Sequence, residues 1–229
     1  ITNNKLYEEI MKKSFLILLE VIWVITTFGH VKAKSADNKR GETVNEKVEL
    51  KLENGTDSTA EFFEGNGKHA VAFVPGGGAR KESYYFLAKH LQTFKISSLS
   101  LDERSEDAIL SAIDFLTKRG FENISLVGGS IGAAEILTTI KYSIIGGQKE
   151  RINRVILIAP YGGSTLKSNN IKKLFIVAKE DSISSFASIQ SLYKDTSEPK
   201  KLKVYAGSNH AEQLFKSKHK EDITELIID

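Results

Sequence analysis

The stretch SLVGGSIGAAEI, from Ser125 to Ile136, changes at its centre from an apolar run to two glycines, a serine and small residues. It contains the spacing Gly-x-Ser-x-Gly, with Gly128, Ser130 and Gly132 at the defining positions. The run before the glycines is typical of a buried strand, and residues 131–142 have the apolar spacing of a helix. In that context the pattern predicts a sharp strand-to-helix turn that exposes the Ser130 hydroxyl at a helix N-terminus.

The rest of the chain alternates strand-like and helix-like segments. Residues 48–53 alternate apolar and charged residues, and with the following AEFFE segment they predict an antiparallel hairpin. Apolar runs such as HAVAFV and RVILIAP are typical of strands buried on both faces, and helical segments separate most of these runs. The predicted fold class is therefore α/β: a single domain with a mostly parallel twisted sheet, an antiparallel N-terminal hairpin and helices on both faces.

Composition limits the kinds of partner. The chain has 229 residues, of which 41% are hydrophobic and 27% charged, enough for one domain with a sizeable core. The net charge is +3 and the charged residues are interspersed, so we expect no nucleic-acid partner. The absence of cysteine from the sequence excludes disulfides and thiolate metal sites. We expect neither a cofactor nor a metal.

The N-terminal segment has the order of a secretion signal. Met11 is the only methionine, and two lysines and an apolar run follow it, so residues 1–33 are predicted to be upstream residues and a signal peptide that starts at Met11. Residues 34–46 are predicted to be a linker and residues 47–229 the domain. We expect an exported protein, periplasmic or secreted. Retention by an uncleaved membrane anchor is the alternative, although Glu20 interrupts the apolar run and is costly in lipid.

A second glycine-rich turn, PGGGAR at residues 75–80, follows a predicted strand. It lacks the Gly-x-x-x-x-Gly-Lys-Ser/Thr spacing of a phosphate-binding loop, because Lys81 stands at the wrong offset. The glycines around Ser130 likewise do not fit the dinucleotide pattern Gly-x-Gly-x-x-Gly. Neither turn predicts a nucleotide site.

A serine hydroxyl is a poor nucleophile unless a histidine takes its proton and a carboxylate orients that histidine. Asp181 follows the strand-like KLFIVAK, and His210 follows KLKVYAG, at the strand ends where ligand sites form in α/β sheets. The chain order serine, acid, histidine is the one that accompanies the Gly-x-Ser-x-Gly turn. We predict Ser130 as nucleophile, His210 as base and Asp181 as the orienting acid, with the adjacent Glu180 as the alternative acid.

The two glycine-rich turns together predict a site for a negatively charged oxygen. Acyl transfer needs the backbone N–H of the residue after the nucleophile, here Ile131, and a second N–H from the loop after the third strand. Gly77 or Gly78 fits that second position, and we predict Gly77 there, with Gly78 lining the substrate site. Tyr161 directly follows another predicted strand and is predicted to contact substrate as well.

Five stretches resemble the α/β-hydrolase superfamily: VAFVPGGG, SLSLDERSEDAILSAIDFL, ISLVGGSIGAAEIL, FIVAKEDSIS and VYAGSNHAEQLF. The resemblance extends from about Val48 to Asp229. In that family the positions that match Ser130, Asp181 and His210 are nucleophile, acid and base. The segment DERSE is similar to the family's Asp-x-Arg-Gly segment but lacks the glycine. The short loop after RVILIAP leaves no room for a cap domain, as in the compact dienelactone-hydrolase-like and small carboxylesterase branches.

The resemblance implies a serine hydrolase that cleaves small carboxylic esters through an acyl-enzyme. Thioesterases, lactonases and peptidases use the same groups and remain alternatives. A non-catalytic binding protein with a hydrolase fold is the alternative outside enzyme chemistry. The expected partner is a small-molecule acyl ester.

Overall fold

The computed structural model describes residues 45–143 and 150–228. The predicted signal peptide within residues 1–33 lies outside the described residues, as does the predicted linker up to residue 44. The first strand begins at Asn45, just before the predicted start of the domain. Among the helices that the structure describes, none is both long enough and apolar enough to cross a membrane.

One sheet of eight strands dominates the described part of the chain. The strands are β1 (Asn45–Lys51), β2 (Asp57–Phe63), β3 (His69–Val74), β4 (Ser97–Leu101), β5 (Asn123–Gly129), β6 (Ile152–Ile158), β7 (Lys172–Ala178) and β8 (Lys200–Tyr205). Their order across the sheet is β1-β2-β4-β3-β5-β6-β7-β8. The pairs β1/β2 and β2/β4 are antiparallel and all other neighbours are parallel. The predicted N-terminal hairpin and mostly parallel sheet are confirmed.

Helices cover both faces of this sheet. They are α1 (Tyr85–Thr93), α2 (Glu106–Lys118), α3 (Ser130–Tyr142), α4 (Phe186–Asp195) and α5 (Lys220–Ile228), with 3-10 segments at Lys81–Tyr84 and Ala211–Lys216. Alternate residues of β3 enter two separate apolar clusters, as the period of a strand requires. Ala72 packs in the cluster that contains residues of α2, α3 and α4, and Phe73 in the cluster that contains residues of α1 and α5. The sheet is therefore buried on both faces, which explains its nearly continuous apolar strands.

The parallel strands bring separate loops to one edge of the sheet. Neighbouring parallel strands end at the same edge, so the segments that follow β3, β5, β7 and β8 meet there. The connection between β6 and β7, residues 159–171, contains neither helix nor strand. This connection confirms the expectation that no cap domain is inserted at that point.

The turn from β5 into α3 is crowded by backbone on both sides. A Cβ atom added to Gly132 would lie 2.5 Å from the carbonyl oxygen of Pro75 and 2.6 Å from that of Val74. A Cβ atom added to Gly128 would lie 2.7 Å from the backbone nitrogen of Ala133. Both distances are shorter than a Cβ atom can lie from a backbone oxygen or nitrogen. The two glycines of the motif therefore let α3 pack against the end of β3.

We expect Gly132→Ala to destabilise the protein. Alanine is the better helix former by about 1 kcal/mol, but the added methyl meets backbone carbonyls that side-chain rotation cannot move. The free energy of unfolding, measured by urea denaturation, should fall by about 1–3 kcal/mol. Lys141→Ala, at an exposed position of the same helix, is the control and should change it by less than about 0.5 kcal/mol. An unchanged or increased stability for Gly132→Ala would contradict the packing account.

Candidate active site

Ser130 is the first residue of α3 and has an unusual backbone conformation. Its φ is +50°, in the left-handed region that residues other than glycine rarely adopt. A residue held in this region costs about 1–3 kcal/mol. The residue is buried, and its carbonyl oxygen accepts a hydrogen bond of 3.1 Å from the N–H of Tyr161. Such strain persists where surrounding structure fixes it, which is common at functional turns.

The side chain of Ser130 begins a continuous chain of hydrogen bonds. Its Oγ lies 2.8 Å from Nε2 of His210, and Nδ1 of His210 lies 2.7 Å from Oδ2 of Asp181. The other carboxylate oxygen of Asp181 accepts the backbone N–H groups of Ile183, at 2.8 Å, and Ser184, at 3.0 Å. The Asp181 side chain is fully buried. These backbone bonds fix the carboxylate, which in turn fixes the orientation of the imidazole.

Glu180, the alternative acid, has a different partner. Its Oε2 accepts the backbone N–H of Gly207, and the residue is exposed. The two adjacent carboxylates therefore diverge, and Asp181 is the one that contacts His210. The Ser184 hydroxyl donates to the carbonyl oxygen of Ala159 at 3.0 Å, which ties the Asp181 loop to the end of β6.

The loop after β3 lies beside the N-terminus of α3. A Cβ atom added to Gly77 would make an ordinary contact, 3.6 Å, with Cδ1 of Ile131. Gly77, Gly78 and His210 line one open cavity of about 640 Å³. The structure thus brings the predicted Gly77, Gly78 and Ile131 together with His210. Tyr161 is 56% exposed and does not line this cavity, although its backbone contacts Ser130.

Arg104 fixes the glycine-rich loop from one side. Its Nε donates to the carbonyl oxygen of Pro75 at 3.2 Å, and its Nη2 to that of Gly76 at 3.0 Å. Arg104 belongs to the DERSE segment, which lacks the glycine of the Asp-x-Arg-Gly pattern. The segment nevertheless places its arginine on the loop that contains Gly77. No role for Arg104 could be predicted from the sequence alone.

Glu212 fixes the same loop from the other side. Its Oε1 accepts the N–H of Gly76 at 2.7 Å and the hydroxyl of Tyr84 at 2.8 Å. A Cβ atom on Gly129 would collide with this carboxylate, so Glu212 also lies directly against the turn that precedes Ser130. Burial, followed by the negative charge of Glu212, raises the pKa of Tyr84 well above its usual value and keeps the phenol a donor. No motif marked Glu212, and its closeness to His210 in the sequence was the only signal.

The arrangement combines a proton acceptor with a site for negative charge. The imidazole can take the Ser130 proton while the buried carboxylate stabilises the positive charge that results. The N–H groups of the first turn of α3 have no acceptor within the helix, and they favour a negatively charged oxygen in the same place. Among the residues that the structure describes, no group of three or more histidines and carboxylates is placed to hold a metal ion.

Comparisons with known proteins reveal similarity at the level of structure. No family model matches the sequence, and the comparison with curated proteins returns no match. The esterase domain of a Rhodothermus marinus protein matches with a TM-score of 0.64 and 12% identity, over 81% of this chain and 96% of that one. An esterase from Exiguobacterium antarcticum matches with 0.64 and 12%, over 80% and 98%. A dienelactone hydrolase from Anabaena variabilis matches with 0.66 and 15%, over 81% and 95%.

We expect the Glu212 carboxylate to contribute to stability through its two donors. Glu212→Ala leaves the N–H of Gly76 and the hydroxyl of Tyr84 without this acceptor, and a buried unsatisfied donor costs about 1–3 kcal/mol. The melting temperature should fall clearly for Glu212→Ala. It should fall less for Glu212→Gln, which keeps an acceptor oxygen of the same reach. Equal losses in the two variants, measured by calorimetry, would show that these hydrogen bonds are not the cause.

Proposed function

We propose that this protein, which has the α/β-hydrolase fold, is a serine hydrolase that cleaves small carboxylic esters. The observation that carries the proposal is the hydrogen-bonded chain from Ser130 through His210 to Asp181. It lies at the carboxyl edge of a parallel sheet and begins on a strained strand-to-helix turn, where a nucleophilic serine is expected.

In the first half of the proposed reaction, Oγ of Ser130 attacks the ester carbonyl carbon while Nε2 of His210 takes the hydroxyl proton. Asp181 holds the imidazole in the tautomer that can accept this proton and stabilises its positive charge. The carbonyl oxygen becomes negative and receives hydrogen bonds from the N–H groups of Ile131 and Gly77. His210 then donates its proton to the leaving alcohol, and the C–O bond to that alcohol breaks.

In the second half, water hydrolyses the acyl group bound to Ser130. His210 takes a proton from the water as the water oxygen attacks the acyl carbonyl carbon, and the same two N–H groups stabilise the negative oxygen. When this second intermediate collapses, His210 returns the proton to Oγ of Ser130. The carboxylic acid leaves, and the hydrogen-bonded chain is restored.

Two features support a small or exposed ester rather than a long buried acyl chain. Residues 159–171 form no cap over the site, and the cavity beside His210 is open. Three large residues that adjoin the reacting groups through the backbone are partly exposed: Ile131, which follows Ser130, at 38%, Tyr161 at 56% and Ile183 at 54%. They offer apolar contact to a short acyl group but do not enclose it.

The named activities of the structural neighbours favour this chemistry. Two of the matched proteins are named esterases, and a third is named a dienelactone hydrolase, which also points to ester-type bonds. The same three side chains also serve thioester and peptide cleavage, so the comparison is what favours carboxylic esters.

Hydrolysis of 4-nitrophenyl acetate by a pair of neighbouring variants tests the proposal. Asp181→Asn keeps the size of the side chain but removes the charge that orients His210, so we expect kcat to fall by about 10³- to 10⁴-fold. Glu180→Gln is the matched control, because its carboxylate contacts Gly207 instead. It should keep kcat within about twofold of wild type.

Ser130→Ala completes this test. Turnover should fall to the residual rate that is possible without an acyl-enzyme. The unfolding temperature should stay close to that of wild type, since only a hydroxyl is lost. Activity that persists in Ser130→Ala, or equal losses in Asp181→Asn and Glu180→Gln, would contradict the proposed roles.

A further inference from the structure

The cavity beside His210 has a wall that the proposed reaction steps do not use. The cavity measures about 640 Å³, and besides Gly77 and His210 it is lined by Phe86, Phe215 and two lysines, Lys216 and Lys220, among other residues. Because His210 and Gly77 line this open cavity, and Nε2 of His210 lies 2.8 Å from Oγ of Ser130, one part of an ester held at Ser130 would extend into it.

The two phenylalanines form an apolar wall with an ammonium group above it. The rings of Phe86 and Phe215 pack edge to face, with centroids 5.2 Å apart. Nζ of Lys220 lies 4.9 Å from the centroid of the Phe86 ring, within the range of a cation–π contact. The contact favours one position of a side chain that would otherwise be free to move.

The positive charges of this wall have no carboxylate partners. Within residues 45–143 and 150–228, neither Lys216 nor Lys220 forms a salt bridge. Two carboxylates also line the cavity, but both have other partners. Glu82 lies 3.9 Å from both Arg80 and Lys81, and Glu212 accepts from Gly76 and Tyr84. The lysines are therefore left to attract an anion from solution.

The lysines lie at some distance from the bond that breaks. Lys216 is the last residue of the 3-10 segment Ala211–Lys216, and a rise of about 2 Å per residue places its backbone about 10 Å from that of Ala211, which follows His210. A lysine side chain reaches back over part of this length. An anionic group that meets the ammonium would thus be joined to the ester carbonyl by a spacer of several carbon atoms, which the phenylalanine wall can contact.

We propose that the substrate is an anionic ester, whose acyl or alcohol part ends in a negatively charged group bound by Lys216 and Lys220 and whose spacer lies against Phe86 and Phe215. This inference rests on the proposed ester hydrolysis and adds the class of substrate. The lysines act in binding and take no part in the bond changes at Ser130.

A pair of esters with the same spacer tests the acyl side. Mono-4-nitrophenyl adipate carries a terminal carboxylate, and 4-nitrophenyl hexanoate is its neutral counterpart. The double variant Lys216→Gln/Lys220→Gln should lower kcat/KM for the adipate ester by about three- to tenfold, mainly through KM, and change that for the hexanoate ester by less than about twofold. Added salt should weaken the wild-type preference for the adipate ester, because exposed charges are screened.

A second pair, 4-acetoxybenzoate and phenyl acetate, applies the same comparison to the alcohol side. The control variant Lys89→Gln/Lys218→Gln makes the same change in net charge at exposed positions outside the cavity wall. It should leave the preference for the charged ester unchanged in both pairs. The difference between the two double variants then measures the local effect of Lys216 and Lys220.

The outcomes separate this inference from the function on which it rests. A loss confined to the charged ester of either pair, and to the cavity variant, supports the anionic substrate. If the wild-type protein cleaves the neutral esters but Lys216→Gln/Lys220→Gln shifts no preference in either pair, the inference is wrong and the proposed function stands. If the wild-type protein cleaves none of the four esters, the proposed function fails and the inference with it.

Discussion

The close packing of α3 against the end of β3 is the constraint on which the site depends. At Gly132 the helix approaches the carbonyl oxygens of Val74 and Pro75 so closely that no side chain fits between them. To reach that position directly after β5, the chain turns at Ser130 with a left-handed backbone. The hydroxyl consequently lies at the helix N-terminus, at the sheet edge where other loops meet. The backbone strain at Ser130 is thus the cost of placing its hydroxyl at this edge of the sheet.

Two charged side chains fix the position of the loop after β3 relative to that turn. Arg104 binds carbonyl oxygens of the loop after β3, and Glu212 binds the N–H of Gly76 in the same loop. Glu212 also lies against Gly129 and follows His210 closely in the chain. A single carboxylate therefore links the loop that contains Gly77, the turn that contains Ser130 and the segment that contains His210. A shift in the position of any one of these segments would therefore displace the other two.

Periodicity explains why so much of the fold could be predicted from the sequence. Strands buried on both faces are nearly continuous apolar runs, and the alternating pattern of residues 48–53 marked the antiparallel hairpin. The resemblance to α/β-hydrolases is confirmed for the fold. The predicted Ser130, Asp181 and His210 could be placed at one edge of the sheet because each lies at or shortly after the end of a strand: Ser130 directly follows β5, and Asp181 and His210 come three and five residues after β7 and β8.

What the sequence did not reveal depends on contacts between distant residues. Glu212 and Gly76 are 136 positions apart, and no local pattern records that their atoms meet. The choice between Glu180 and Asp181 was left open because neighbours on an extended chain face opposite ways, and the three-dimensional turn decides which one meets His210. No local pattern distinguishes Lys216 and Lys220 from Lys218 between them, and only the fold brings these two lysines to the cavity beside His210.

The central claim is that His210 activates the hydroxyl of Ser130. The most direct measurement is to treat the purified protein with a fluorophosphonate probe, which reacts with activated serines, and to map the labelled peptide by mass spectrometry. We predict labelling at Ser130 in the wild-type protein and its loss in His210→Ala, with both proteins folded by circular dichroism. A folded wild-type protein that leaves Ser130 unlabelled, beside a serine hydrolase that reacts under the same conditions, would contradict the claim.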